Sequence, residues 1–164
     1  MILIGGLIGF FIIIISFKTI KNKLSKKDML CNISIVFKEG KVDLNAIIDT
    51  GNFLKEPLTG RPVIIVEKDV LKTVIPANIL DNLEDILNGN KNINDEYMSK
   101  IRLIPFSALG TDSGLLLGIK PENFYINYQG KISENKNIIV GIYNNKLSRD
   151  NKYNALLGLD IISM

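Results

Sequence analysis

The chain contains no histidine and only one cysteine, Cys31, in 164 residues. Without an imidazole there is no Ser-His or Cys-His nucleophile pair and no His-ligated metal centre. A single thiol excludes an internal disulfide and a cysteine zinc cluster, and suits a reducing compartment. Its expected place is inert in the core, ahead of S-palmitoylation. No cofactor or metal is expected, so any catalysis rests on carboxylates, Lys, Ser or Thr. A basic patch interleaved with aromatics is also lacking. The formal charge of +3 is misleading on this point. Lys18, Lys21, Lys23, Lys26 and Lys27 stand in the first 27 residues with no acid, so the remainder holds fifteen basic against seventeen acidic groups. Nucleic acid is therefore not an expected partner.

Residues 1–17 carry no charge and read as a transmembrane helix of near-minimal length. A cleaved signal peptide would have cationic residues before the apolar run and a small-residue site after it. Both are missing. The lysines that follow predict the cytoplasmic side, since anionic headgroups attract them and translocating them is costly. The division expected is a span at 1–17 in contact with the bilayer, a basic linker at 18–30, and a globular domain at 31–164 in the cytoplasm.

The domain reads as β-rich. Ile33 to Phe37, a turn at Glu39-Gly40-Lys41 and Val42 to Ile48 form a hairpin. Further strands are expected at Val63–Val66, Ile101–Phe106, Leu115–Ile119, Phe124–Tyr128 and Ile138–Tyr143. Ile79, Leu80, Leu83, Ile86 and Leu87 recur at spacings of three and four, which predicts one short amphipathic helix over Pro76–Leu87. Ala155–Ile162 is expected to be a second short helix. The segment 107–114 is rich in residues that tolerate left-handed backbone, as a mobile hairpin tip requires.

The hairpin's second arm delivers Asp49-Thr50-Gly51. A carboxylate held at the end of a buried strand is suited to acid–base work, and Leu156-Leu157-Gly158-Leu159-Asp160 supplies a second block whose glycine lets another backbone approach closely. Together, Ala46-Ile47-Ile48-Asp49-Thr50-Gly51-Asn52 and Leu156 to Asp160 resemble the retropepsin-like aspartic proteases, and among them the sigma-factor-processing peptidases of spore-forming bacteria. The lysine-flanked anchor resembles the last span of those membrane proteins.

The resemblance implies a mainly β fold: half of the acid-protease closed β-barrel with one or two short helices, preceded by a transmembrane helix. Such enzymes need two carboxylates sharing one proton, and this chain offers one Asp-Thr-Gly. Thr111-Asp112-Ser113-Gly114 lacks strand context and falls in the expected flap. A twofold homodimer that brings Asp49 against its own copy resolves the shortage. Thr50 and Gly51 then support Asp49, while Asn52, Phe53, Leu109 and Gly110 are candidates for contact with substrate. Retroviral members carry an acid and an Arg where Phe53 and Leu159 stand here, so both partners of that ion pair have become apolar together. Asp160 receives no catalytic role. The implied substrate is the precursor of the sporulation factor sigma-E, and the implied activator is a signalling protein secreted from the forespore. The competing expectation is a non-catalytic, membrane-anchored β-rich binding or adaptor domain in which Asp49-Thr50-Gly51 is only a tight turn.

Overall fold

The computed structural model describes residues 10–13, 29–90, 95–108 and 111–162. Residues 10–13 are helical and exposed, and the rest of the expected span and nearly all of the linker lie outside the described residues. Among the described residues no helix is long and apolar enough to cross a membrane.

Apolar and polar residues alternate through the first hairpin, so one face of each strand is buried. In β1 (Leu30–Phe37) the inward set is Cys31, Ile33, Ile35 and Phe37, and in β2 (Gly40–Ile48) it is Leu44, Ala46 and Ile48. Phe37 pairs with Gly40 across a two-residue connection. The strands β3 (Val63–Glu67), β4 (Ile101–Ala108), β5 (Thr111–Ile119), β6 (Asn123–Tyr128), β7 (Lys131–Asn135), β8 (Ile139–Tyr143) and β9 (Ala155–Leu157) complete one sheet, ordered β4-β5-β8-β3-β9-β2-β1-β6-β7. The mainly β expectation holds. The closed barrel does not, because β4 and β7 are edges and backbone hydrogen bonding leaves the sheet open.

Three further differences have local causes. The single helix expected over Pro76–Leu87 is two, α1 (Ala77–Leu80) and α2 (Leu83–Leu87). The break is at Asn82, whose side-chain amide donates to the Asn78 carbonyl oxygen at 2.8 Å, a bond that competes with the helix backbone. Ile79, Leu80, Leu83 and Ile86 are still buried, as the periodicity requires. A third short helix, α3 (Asp95–Met98), follows.

Ala155–Ile162 is not a helix. Ala155 to Leu157 lie between β2, parallel, and β3, antiparallel, and a 3-10 turn over Leu159–Ile161 follows. A three-residue apolar run is too short for periodicity to choose between strand and helix, and the vacant place between two strands decides it. Finally, β7 escapes sequence reading because its side chains are almost wholly exposed and lack an inward apolar set. Gln129 and Gly130, with φ of 52° and 77°, form the turn that pairs it with β6.

The core runs from β1 and β2 through β3, β8 and β9 to α1 and α2, and Phe124, Ile35, Ile64 and Leu71 are fully buried in it. Each such side chain contributes about 1.5–3 kcal/mol of transfer free energy. Cys31 is inside, as expected, and burial pushes its thiol up to about 11. At neutral pH it is therefore neither a nucleophile nor an accessible acylation site.

Candidate active site

The end of β2 is gripped from both sides. The Ile48 N–H donates to the Met29 carbonyl oxygen at 2.8 Å, and the Asp49 N–H donates to that of Leu157 at 2.7 Å. The strand is thus fixed up to the residue that bears the carboxylate. The chain then turns: the Asn52 N–H donates to the Asp49 carbonyl oxygen at 3.1 Å, and the Gly51 N–H donates to Asp49 Oδ1 at 2.9 Å. The second bond orients the carboxylate by a backbone group of its own loop.

Two more contacts hold the loop from beneath. Asn52 is buried; its Nδ2 donates to the Val63 carbonyl oxygen at 3.2 Å and its Oδ1 accepts from the Leu54 N–H at 3.2 Å. Gly158, on the far side, lies so close that a Cβ there would overlap the Asn52 carbonyl oxygen. The close approach expected of this glycine is present, and its partner is the Asp49 loop. Its φ of −74° is open to any residue, so space and not conformation demands glycine here.

Asp49 stands where two clefts meet. One, about 840 Å³, is lined by Phe53, Leu54, Phe106, Ser107, Leu116 and Tyr143; the other, about 940 Å³, is lined by Met29, Leu30, Thr50, Arg149, Lys152 and Tyr153. Asp49, Leu147 and Leu156 border both. An extended peptide crossing a carboxylate needs recesses on either side of it, and this arrangement supplies them.

Thr50 and Gly51 are exposed beside Asp49. Asn52 borders the first cleft, but its amide is engaged by the loop's own backbone. Phe53 is 73% exposed at the cleft's edge. Leu109 and Gly110 lie outside the described residues. The arm leading to them, Pro105 to Ser107, lines the first cleft, with a register shift between Phe106 and Ala108. Asp112 is on β5, an element separate from the Asp49 loop. Among the described residues no cluster of His, Cys, Asp or Glu is placed to hold a metal ion.

The segment 147–154, which walls the second cleft and reaches the first through Leu147, is not legible from sequence as part of a site. It is held by Glu67, the buried last residue of β3: Oε1 accepts from the Leu147 N–H at 2.7 Å and Oε2 from Asn154 Nδ2 at 2.9 Å. The Glu67 N–H also donates to the Asn154 carbonyl oxygen at 3.0 Å, and the Asn154 N–H to that of Asn45 at 2.9 Å. Within the segment Ser148 is buried; its hydroxyl donates to Asp150 Oδ1 at 2.5 Å and accepts from the Lys152 N–H at 3.2 Å. Lys152 pairs with Asp150, and that pairing, with the Ser148 hydroxyl, holds the Asp150 carboxyl down at about 2. The available signal was a charged residue ending an otherwise apolar strand, Val63-Ile64-Ile65-Val66-Glu67.

The family model described as sporulation factor SpoIIGA matches residues 1–161. The sporulation sigma-E factor-processing peptidase of Priestia megaterium is 31% identical over 132 residues, covering 79% of this chain and 43% of that protein. The probable sporulation sigma-E factor-processing peptidase of Clostridium acetobutylicum is 33% identical over 138 residues, covering 84% of this chain and 44% of that protein. A putative sporulation sigma factor-processing peptidase of Bacillus thuringiensis subsp. kurstaki is 28% identical over 133 residues, 79% of this chain and 82% of its own length. The chain spans under half the length of the first two relatives. No solved structure matches. The chain belongs to the SpoIIGA family of peptidases.

Proposed function

We propose that this chain is the protease portion of a membrane-anchored aspartic endopeptidase, active as a homodimer, that removes the N-terminal pro-sequence of the sigma-E precursor at the cytoplasmic face. One observation carries the reading: the Asp49 carboxylate, oriented by the Gly51 N–H, stands at the junction of two clefts. The names of the relatives supply the substrate.

In the dimer Asp49 and its copy share one proton. The ionised carboxylate takes a proton from a water whose oxygen attacks the scissile carbonyl carbon, while the protonated one donates to the carbonyl oxygen. Collapse of the gem-diol returns a proton to the leaving nitrogen as the C–N bond breaks. Thr50, exposed beside Asp49, braces the two loops across the axis, and Gly51 leaves backbone room for the peptide. Anchoring at residues 1–17 confines the enzyme near a membrane-bound substrate and raises the local concentration. A signal from the forespore activates by promoting the dimer, since one chain has half of the dyad.

The test is co-expression of the full chain with the sigma-E precursor, wild type against Asp49→Asn, reading the product's size and N-terminus. Processing by wild type alone is the expected result. Equal processing by both overturns the aspartic mechanism.

A further inference from the structure

The segment 147–154 lines one cleft and reaches the other through Leu147, and one buried side chain grips it at both ends. Glu67 is 4% exposed and commits both carboxylate oxygens to the two ends of that segment, Leu147 at 2.7 Å and Asn154 at 2.9 Å. Its own backbone N–H takes the Asn154 carbonyl oxygen at 3.0 Å. The clasp spans about 80 residues of sequence, so local chain preference cannot reproduce it. Leu147, which it fixes directly, borders both clefts, and Asn154 is tied in turn to Asn45 of β2, four residues before Asp49.

We propose that Glu67 is a positioning residue for substrate: it sets the 147–154 wall at the height at which a peptide seated across Asp49 meets Leu147, Arg149 and Tyr153. Glu67 touches no substrate and moves no proton. It acts through the wall, so its removal weakens binding of peptide and leaves the Asp49 loop intact. This rests on the proteolytic reading above.

The test separates the two. In the full chain carrying Asp49→Asn, so that binding is measured without turnover, the affinity for purified sigma-E precursor is compared with and without Glu67→Leu, Glu67→Gln and Asn154→Ala. Hydrogen exchange of the 147–154 segment is followed in the same samples. Glu67→Leu orphans the half-buried Leu147 N–H and the Asn154 amide, and about a tenfold loss of affinity with faster exchange confined to the segment is expected. Glu67→Gln keeps an acceptor for Leu147 and donates to the Asn154 amide once that rotates, so it stays near the parent in both readouts. Asn154→Ala, which removes one arm and leaves Glu67 in place, falls between them and serves if Glu67→Leu fails to fold. Unchanged exchange in Glu67→Leu overturns the clasp. Faster exchange with unchanged affinity overturns the positioning role, as does a Glu67→Gln as weak as Glu67→Leu. If the parent binds no precursor, the functional reading and the positioning role both fall, and exchange alone still decides the clasp.

Discussion

Two segments meet at the candidate site and are held by different means. The Asp49 loop is rooted in the sheet by backbone, through Asp49 to Leu157 and Gly158 packed against the Asn52 carbonyl, and is closed within by Asn52 to Asp49 and by the short-range bonds of the Asp49 and Asn52 side chains. The 147–154 wall is bonded to the sheet by backbone at its Asn154 end, and its Leu147 end and interior are held by side chains, through Glu67, Ser148 and Asp150. Backbone bonds across adjacent strands form wherever the strands pair, whereas a buried carboxylate must find each donor individually. The loop bearing Asp49 is thereby set at its root by the sheet, and much of the wall by a few exchangeable contacts. Within one fold the second arrangement can vary while the first stays.

The contrast is most sharply tested at Asp49. Asp49→Asn removes the exchangeable proton of the proposed dyad and should cost about 10²–10⁴-fold in rate, the range of general acid–base contributions. The melting temperature should stay within a degree or two, because a carboxamide still accepts from the Gly51 N–H. A large fall in melting temperature would mean that the carboxylate is structural. Gly158→Ala comes next. Its Cβ meets a backbone oxygen of the Asp49 loop, which cannot swing aside as a side chain would, so about 3 kcal/mol of destabilisation is expected by denaturant titration. A milder loss would show that the loop yields, contrary to the backbone-held description. Asn52→Ala leaves the Val63 carbonyl and the Leu54 N–H without their partner and should cost about 1–3 kcal/mol. If cleavage falls without loss of stability, Asn52 contacts substrate after all.

The same division accounts for what could be read in advance. Asp49 at the end of β2, and Gly158 as a point of close approach, follow from apolar runs, a turn triplet and a glycine, all signals within a few residues of one another. The hairpin of β1 and β2 is legible for that reason. The open sheet is not, because closure depends on whether β4 and β7 find each other, and neither carries a local mark of its partner. The β9 segment was misread because its three apolar residues suit either structure and only the gap between β2 and β3 chooses. Glu67 and the 147–154 wall were invisible for the reason the wall differs from the loop: their partners are far apart in sequence, and Ser148-Arg149-Asp150-Asn151-Lys152 reads as an ordinary polar loop.

The smallest effect lies within the wall. Lys152 first, then the Ser148 hydroxyl, depresses the Asp150 carboxyl from 3.8 to about 2. A group more acidic folded than unfolded stabilises above its unfolded value, and that contribution disappears as pH falls through the folded one. The stability difference between wild type and Asp150→Ala, which removes both contacts, should thus be constant above about pH 4, shrink between pH 4 and pH 2, and reach its floor below. Because the pair is exposed, the difference is small and salt should reduce it. Only the Lys152 share should be screened, however, since the bond from the buried Ser148 hydroxyl carries no net charge of its own. A difference that salt abolishes entirely would make the wall's inner contact an ion pair alone, whereas a residue that survives high salt would mark the Ser148 bond as the part that shapes the segment.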